Sequence, residues 1–195
     1  MKKYFGTMTL ILIPIAIAVN FIGGQLASIL KLPMYLDMIG TILVAAVAGP
    51  VPAMVAGGVT NLILGLSSPT WIPYAIVQIA CGAVAGYAAQ KGAFKSFKWT
   101  ALTSIGIWAA ALLTAVPITT ILFGGIAGGG GGSVITAFFL TTGQGLWESV
   151  ASSALITETV DKFLSTFIVF FLVRSLPVST LVKFPLGKMY VKDSE

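Results

Sequence analysis

The sequence predicts an all-α, polytopic integral membrane protein with six transmembrane helices, on three observations. Apolar residues make up 57% of the 195-residue chain and charged residues only 9%, against about 45–50% and about 25% in an average soluble domain. The apolar residues fall in runs long enough to cross a hydrocarbon core of about 30 Å. The charges lie between those runs or at a few isolated positions within them.

The same composition excludes several chemistries. Zero histidines remove Ser-His-Asp catalysis, His-ligated zinc and most imidazole acid–base work. The single cysteine, Cys81, allows no disulfide within the chain. It reads as a small apolar packer. A formal charge of +5 does not require nucleic acid as a partner, because membrane proteins concentrate Lys and Arg in their cytoplasmic loops. No catalytic residue, metal ligand, cofactor or nucleic-acid partner is assigned.

The elements follow in order. Residues 8–30 form a charge-free apolar run, longer than the 7–15 residues of an ordinary signal-peptide core, and read as a retained first span. The block 36–66 is interrupted by Gly49-Pro50-Val51-Pro52, which ends one helix and starts another. A short helix at 36–48 and a second at 51–66 result. The short one rises about 20 Å, too little to cross alone, and must pack among neighbours or border a cavity. Ser67-Ser68-Pro69-Thr70 is a turn, a helix follows at 71–89, and the lysines at 91, 95 and 98 separate it from a helix at 99–123 that Pro117 should kink. The run of five glycines at 128–132 is a loop. A last helix is expected at 156–176, with a basic tail at 177–195.

Charge placement decides the status of 134–153. With six spans and a cytoplasmic N-terminus, Lys2, Lys3, Lys91, Lys95, Lys98, Arg174, Lys183, Lys188 and Lys192 all face the cytoplasm, with Lys31 alone outside and Lys162 within the last helix. A seventh span at 134–153 would leave five cations on each side. The positive-inside rule favours six spans, both termini in the cytoplasm, and an outer-face lid or re-entrant segment at about 126–153. The whole chain, 1–195, then forms one substrate-binding domain in the plasma membrane.

Under this topology the intramembrane polar residues gather in the outer half: Asn20, Gln25, Asp37, Asn61, Trp71, Gln78, Glu148, Glu158, Asp161 and Lys162. Polar groups in hydrocarbon are expensive and mark pathways or sites. Their convergence from several stretches points to a substrate cavity open to the exterior. Each has a structural alternative. Glu158 and Lys162 have the i,i+4 spacing of an ion pair on one helix. Asp37 is placed to stabilise the positive end of the short helix, and Trp71 to sit in an interfacial belt. Asn20, Gln25, Asn61 and Gln78 suit interhelical hydrogen bonds. Small residues, including Gly57, Gly58 and the pair Gly82 and Gly86, permit close helix packing. Ala16, Asn20 and Gly24, at four-residue spacing on the first helix, either pack internally or present a groove to a partner subunit.

The segment LPMYLDMIGTILVAAVAGPVPAMVAGGVTNLI (32–63) and the ending ETVDKFLSTFIVFFLVRSLP (158–177) resemble the membrane-embedded substrate-capture subunits, or S components, of energy-coupling-factor (ECF) ABC importers. The resemblance extends to size, helix number and basic C-terminus. It implies binding of a vitamin or related micronutrient from the exterior, association with a transmembrane coupling protein and two cytoplasmic ATPases, and toppling within the bilayer to release the cargo. In that family an alanine-rich motif on the first helix meets the coupling protein. This chain departs from it with Ala16-Ile17-Ala18-Val19-Asn20. No Walker A pattern is present, so energy is expected from a partner.

Four carboxylates (Asp37, Glu148, Glu158, Asp161) against Lys162 give the expected site a formal −3, which repels anions in a low-dielectric cavity. A neutral or cationic heteroaromatic molecule, a vitamin or a nucleoside-like compound, is the favoured cargo. Three other readings remain: a stand-alone secondary transporter, an intramembrane enzyme built on the carboxylates, and a purely structural membrane subunit. A carrier would need matching broken helices in its two halves, and only one short helix is evident.

Overall fold

The computed structural model describes residues 4–128 and 130–191. Lys2, Lys3, Gly129 and Lys192, named above, lie outside the described residues. The described elements are all helical: α1 (Thr7–Ile29), α2 (Ile39–Ala48), α3 (Pro50–Ser67), a 3-10 turn (Pro69–Tyr74), α4 (Ala75–Gln90), a second 3-10 turn (Ala93–Lys95), α5 (Phe97–Phe123), α6 (Gly131–Thr141), α7 (Leu146–Ser175) and the short α8 (Val178–Leu181) and α9 (Lys188–Val191).

Among the described residues, four helical stretches are long and apolar enough to cross a membrane: Thr7–Ile29, Pro50–Ser67, Pro69–Gln90 and Phe97–Phe123. They mark a membrane-embedded protein. Their outer surfaces carry large apolar side chains such as Ile11, Ile15, Ile22, Leu113 and Ile121, which a soluble protein would cover. Four such stretches are fewer than the six expected. The ten-residue α2 rises only about 15 Å. The 30-residue α7 is long enough but carries Glu148, Glu158, Asp161, Lys162 and Arg174.

The helix α2 stands at the centre, touched by α1, α3, α4 and α7, while α3, α4, α5 and α7 follow one another around it and α6 packs on α7. Of its residues, all but Ile39 and Leu43 are buried. Small residues make this possible. A Cβ on Gly40 would sit 2.2 Å from the Ala16 carbonyl oxygen, and one on Gly86 would sit 2.2 Å from Pro50 Cα, so α1 meets α2, and α4 meets the start of α3, backbone to backbone. The face carrying Ala16, Asn20 and Gly24 is buried. Of the two roles expected for it, internal packing is the one the fold uses.

Three boundaries differ from the sequence reading. The segment 134–153 is not one element: α6 ends at Thr141, and α7 begins at Leu146, ten residues before the expected start of the last helix. Glu148 Oε2 accepts from the Gly145 N–H at 3.4 Å, closing the first turn. The apparent mixture of residue types there is an inverted amphipathic pattern. Ser149, Ser153, Thr157, Glu158, Asp161, Lys162 and Ser165 are buried, while Leu155, Ile156, Val160 and Leu164 face outward. A helix bordered by lipid must place its polar side inward. Second, α2 starts at Ile39, after a loop in which Lys31 and Leu36 adopt positive φ of 51° and 54°. Asp37 therefore precedes the helix instead of occupying its first turn. Third, Trp71 belongs to a 3-10 turn and not to α4.

Candidate ligand-binding site

The C-terminal halves of α1, α3 and α5, the start of α6 and the N-terminal halves of α4 and α7 share one end of the bundle. That end holds a cavity of about 160 Å³. Its wall combines apolar side chains with Asp37, Asn61, Trp71, Glu158 and Lys162, and with the glycines that open α6.

The helix α7 supplies the charged part. Glu158, Asp161 and Lys162 lie three and four residues apart on one face. Lys162 Nζ donates to Asp161 Oδ2 at 2.6 Å and lies 3.0 Å from Glu158 Oε2. The latter contact is ionic but poorly aligned, since Glu158 Oε2 has no directional hydrogen bond among the described residues. The other oxygen of Asp161 accepts the backbone N–H groups of Tyr35 at 3.0 Å and Leu36 at 2.7 Å. Asp161 thereby anchors the 30–38 loop to α7, where the Tyr35 ring lies 5.7 Å from Lys162 Nζ. A Cβ on Gly132 would approach the Tyr35 hydroxyl to 2.7 Å, so this glycine leaves the phenol its place beside the cavity.

A second network positions Asp37. Asn20 Nδ2 donates to Thr41 Oγ1 at 2.9 Å, and Thr41 Oγ1 donates to Gln78 Oε1 at 2.9 Å. Gln78 Nε2 donates in turn to the Asp37 carbonyl at 2.7 Å. Asn20 also donates to Thr60 Oγ1 and accepts from the Gly40 N–H at 2.7 Å. Every polar atom of the Asn20 and Gln78 side chains is thus engaged within the fold.

Asn61 differs. Its Nδ2 donates to the Trp71 carbonyl at 3.1 Å, which fixes the amide orientation, but its buried Oδ1 has no partner among the described residues. A buried acceptor without a donor costs about 1–3 kcal/mol, and a ligand N–H entering the cavity that Asn61 lines would relieve it.

The residues singled out from sequence therefore separate. Asp37, Asn61, Trp71, Gln78, Glu158 and Lys162 line the cavity, Gln78 with its amide already engaged. Asp161 stands behind the wall as the anchor of the loop. Asn20 lies in the α1–α2–α3 interface, Gln25 donates to Ser67 at 2.9 Å, and the exposed Glu148 caps α7. Sequence reasoning missed Tyr35, Tyr74 and the lining glycines of α6. Tyr74 Oη lies 2.7 Å from Thr119 Oγ1, and its ring stacks on Phe123 with centroids 5.8 Å apart. Aromatic residues beside turn clusters were the available signal for both tyrosines. With Glu148 removed to the surface, the cluster holds three carboxyls (Asp37, Glu158, Asp161) and one ammonium, a formal −2 when all are ionised.

Comparison of the chain with protein families, with characterised proteins and with solved structures gives no match.

Proposed function

We propose that the chain is the substrate-capture subunit, or S component, of an ECF-type ABC importer, taking a small water-soluble micronutrient from the exterior for uptake powered by partner subunits. The observation that carries this reading is the convergence of Asp37, Asn61, Trp71, Glu158 and Lys162, from four separate segments, on one cavity at one end of an apolar bundle. Polar side chains serving only as struts between helices would be satisfied by one another, and Asn61 Oδ1 has no partner among the described residues.

Lys91, Lys95, Lys98 and Arg174 cluster at the opposite end of the bundle, where Arg174 donates to the Lys95 carbonyl at 3.2 Å. By the positive-inside rule that end is cytoplasmic, and the cavity then opens outward. In this reading α1, α2, α3, α4, α5 and α7 are the six membrane helices, α2 being carried by its neighbours, and α6 lies over the cavity as its lid. The cargo is a neutral or cationic heteroaromatic molecule, and a transmembrane coupling protein with two ATPases supplies the energy.

Reconstituted uptake tests the proposal. Proteoliposomes containing this chain with a coupling protein and its ATPases should accumulate the co-purifying small molecule only when ATP is enclosed. Accumulation by the chain alone under an ion gradient would identify a secondary carrier instead.

A further inference from the structure

We infer that the cavity selects a cation built on a single ring and bearing N–H donors, a heteroaromatic amine or an amidine, and that it excludes nucleosides. This rests on the capture reading above and narrows it.

Size sets the first limit. At about 160 Å³, the cavity is close to the roughly 150 Å³ engineered cavity that holds one benzene molecule. It is well below the roughly 300–1,000 Å³ typical of sites for drug-sized ligands. A six-membered ring with one or two small substituents fits within it, whereas a purine carrying a ribose would have to extend out of it.

Hydrogen-bond polarity sets the second. Gln78 is saturated by Thr41 and Asp37, and the Lys162 ammonium is shared between Glu158 and Asp161. What the side chains leave for a ligand includes three acceptors, Asn61 Oδ1, the Asp37 carboxyl and the Glu158 carboxyl that Lys162 holds at 3.0 Å, beside the indole N–H of Trp71. Asn61 is fully buried and its Nδ2 is committed to the Trp71 carbonyl, so it cannot turn its donor toward the cavity without losing that bond. A ligand must therefore bring donors, and a positive one would favour the ionised form of the Asp37 and Glu158 carboxyls beside it. Trp71, in the cavity wall, is an aromatic side chain of the kind that attracts a cation. The first-turn N–H groups of α6, which have no intrahelical partner, lie in the wall at Gly131 and Gly132 and can donate to a ring nitrogen.

Isothermal titration of the chain in lipid nanodiscs distinguishes the possibilities with four probes: 4-aminopyridine and benzamidine as single-ring cations, nicotinate as a single-ring anion, and adenosine. At least one of the two cations should bind saturably and at least tenfold more tightly than nicotinate, and adenosine should not bind. Glu158→Gln should reduce the preference for that cation over nicotinate at least tenfold. An unfolded variant would lose both ligands instead of changing their ratio. Binding of adenosine or nicotinate as tight as that of the cations overturns the assigned class while leaving small-molecule capture standing. Failure of both cations to bind also overturns it, and capture is then judged separately by the ATP-dependent uptake experiment.

Discussion

The Tyr190 hydroxyl donates a hydrogen bond of 2.8 Å to the Ala46 carbonyl, tying the last described turn of the chain to the end of its central helix. Beside it the Leu186 N–H donates to the Val47 carbonyl at 2.9 Å. The last four carbonyls of any helix lack intrahelical partners, and α2 ends among its neighbours, away from bulk water. The tail, threading under it through α8 and α9, supplies the missing donors. It turns back at Gly187, where a Cβ would collide with the Leu181 carbonyl, and Leu181 and Phe184 are buried in the core below α2.

Tyr190→Phe should therefore cost about 1 kcal/mol of stability, read by thermal unfolding, with ligand affinity unchanged because the cavity lies at the other end. Burial pushes the Tyr190 phenol above its ordinary value of 10.0. The folded form thus holds its proton more tightly than the unfolded one. The stability difference between wild type and variant should be constant below about pH 10 and shrink as pH rises beyond it.

Asp161→Asn should lower stability by about 3 kcal/mol, the cost of breaking a buried ion pair from one side, and should abolish binding. The carboxylate serves two backbone N–H groups and Lys162 at once, and an amide cannot accept at both of its heavy atoms. Near-normal stability combined with lost binding would instead assign Asp161 a direct ligand contact.

Asn20→Ala should destabilise the fold by about 2 kcal/mol by leaving the Gly40 N–H without an acceptor. Thr60→Val should cost less, since Asn20 Nδ2 keeps its bond to Thr41. Paired thermal unfolding of the two variants checks the order.

Two glycine substitutions should act differently. Gly86→Ala places a methyl group 2.2 Å from Pro50 Cα, in backbone that cannot move aside, and should prevent accumulation of folded protein. Gly132→Ala meets only the tip of Tyr35, so the protein should fold but bind its ligand more weakly. Gly6→Ala, with open space around it and a β-region backbone (φ −71°, ψ 163°) away from the cavity, is the control that should be neutral. Expression yield, gel-filtration profile and titration calorimetry separate the three outcomes.

Much of the helical scaffold was legible in the sequence because lipid imposes a one-dimensional rule: a spanning segment must be long, apolar and free of unpaired charge. The charge-free run in α1, the Gly49-Pro50 break between α2 and α3 and the shortness of α2 all follow from it. The start of α7 was not legible, because that helix faces its polar residues inward and its apolar residues outward, and a window of mixed polarity looks like a lid. The charged cluster was visible as the spacing of Glu158, Asp161 and Lys162. Its division of labour was not, since nothing in that spacing tells that Asp161 holds the backbone of residues 35 and 36.

The sequence by itself determined a helical membrane protein, with its acidic side chains and buried amides set among a few segments. Hydropathy and helix-breaking residues act locally, within one segment at a time. Only the tertiary structure decided which of those side chains satisfy one another and which face a cavity. Hydrogen-bond saturation depends on atoms brought together from segments separated in the chain, as Asn20 is saturated by Thr41 and Thr60 while Asn61 keeps one oxygen without a partner among the described residues.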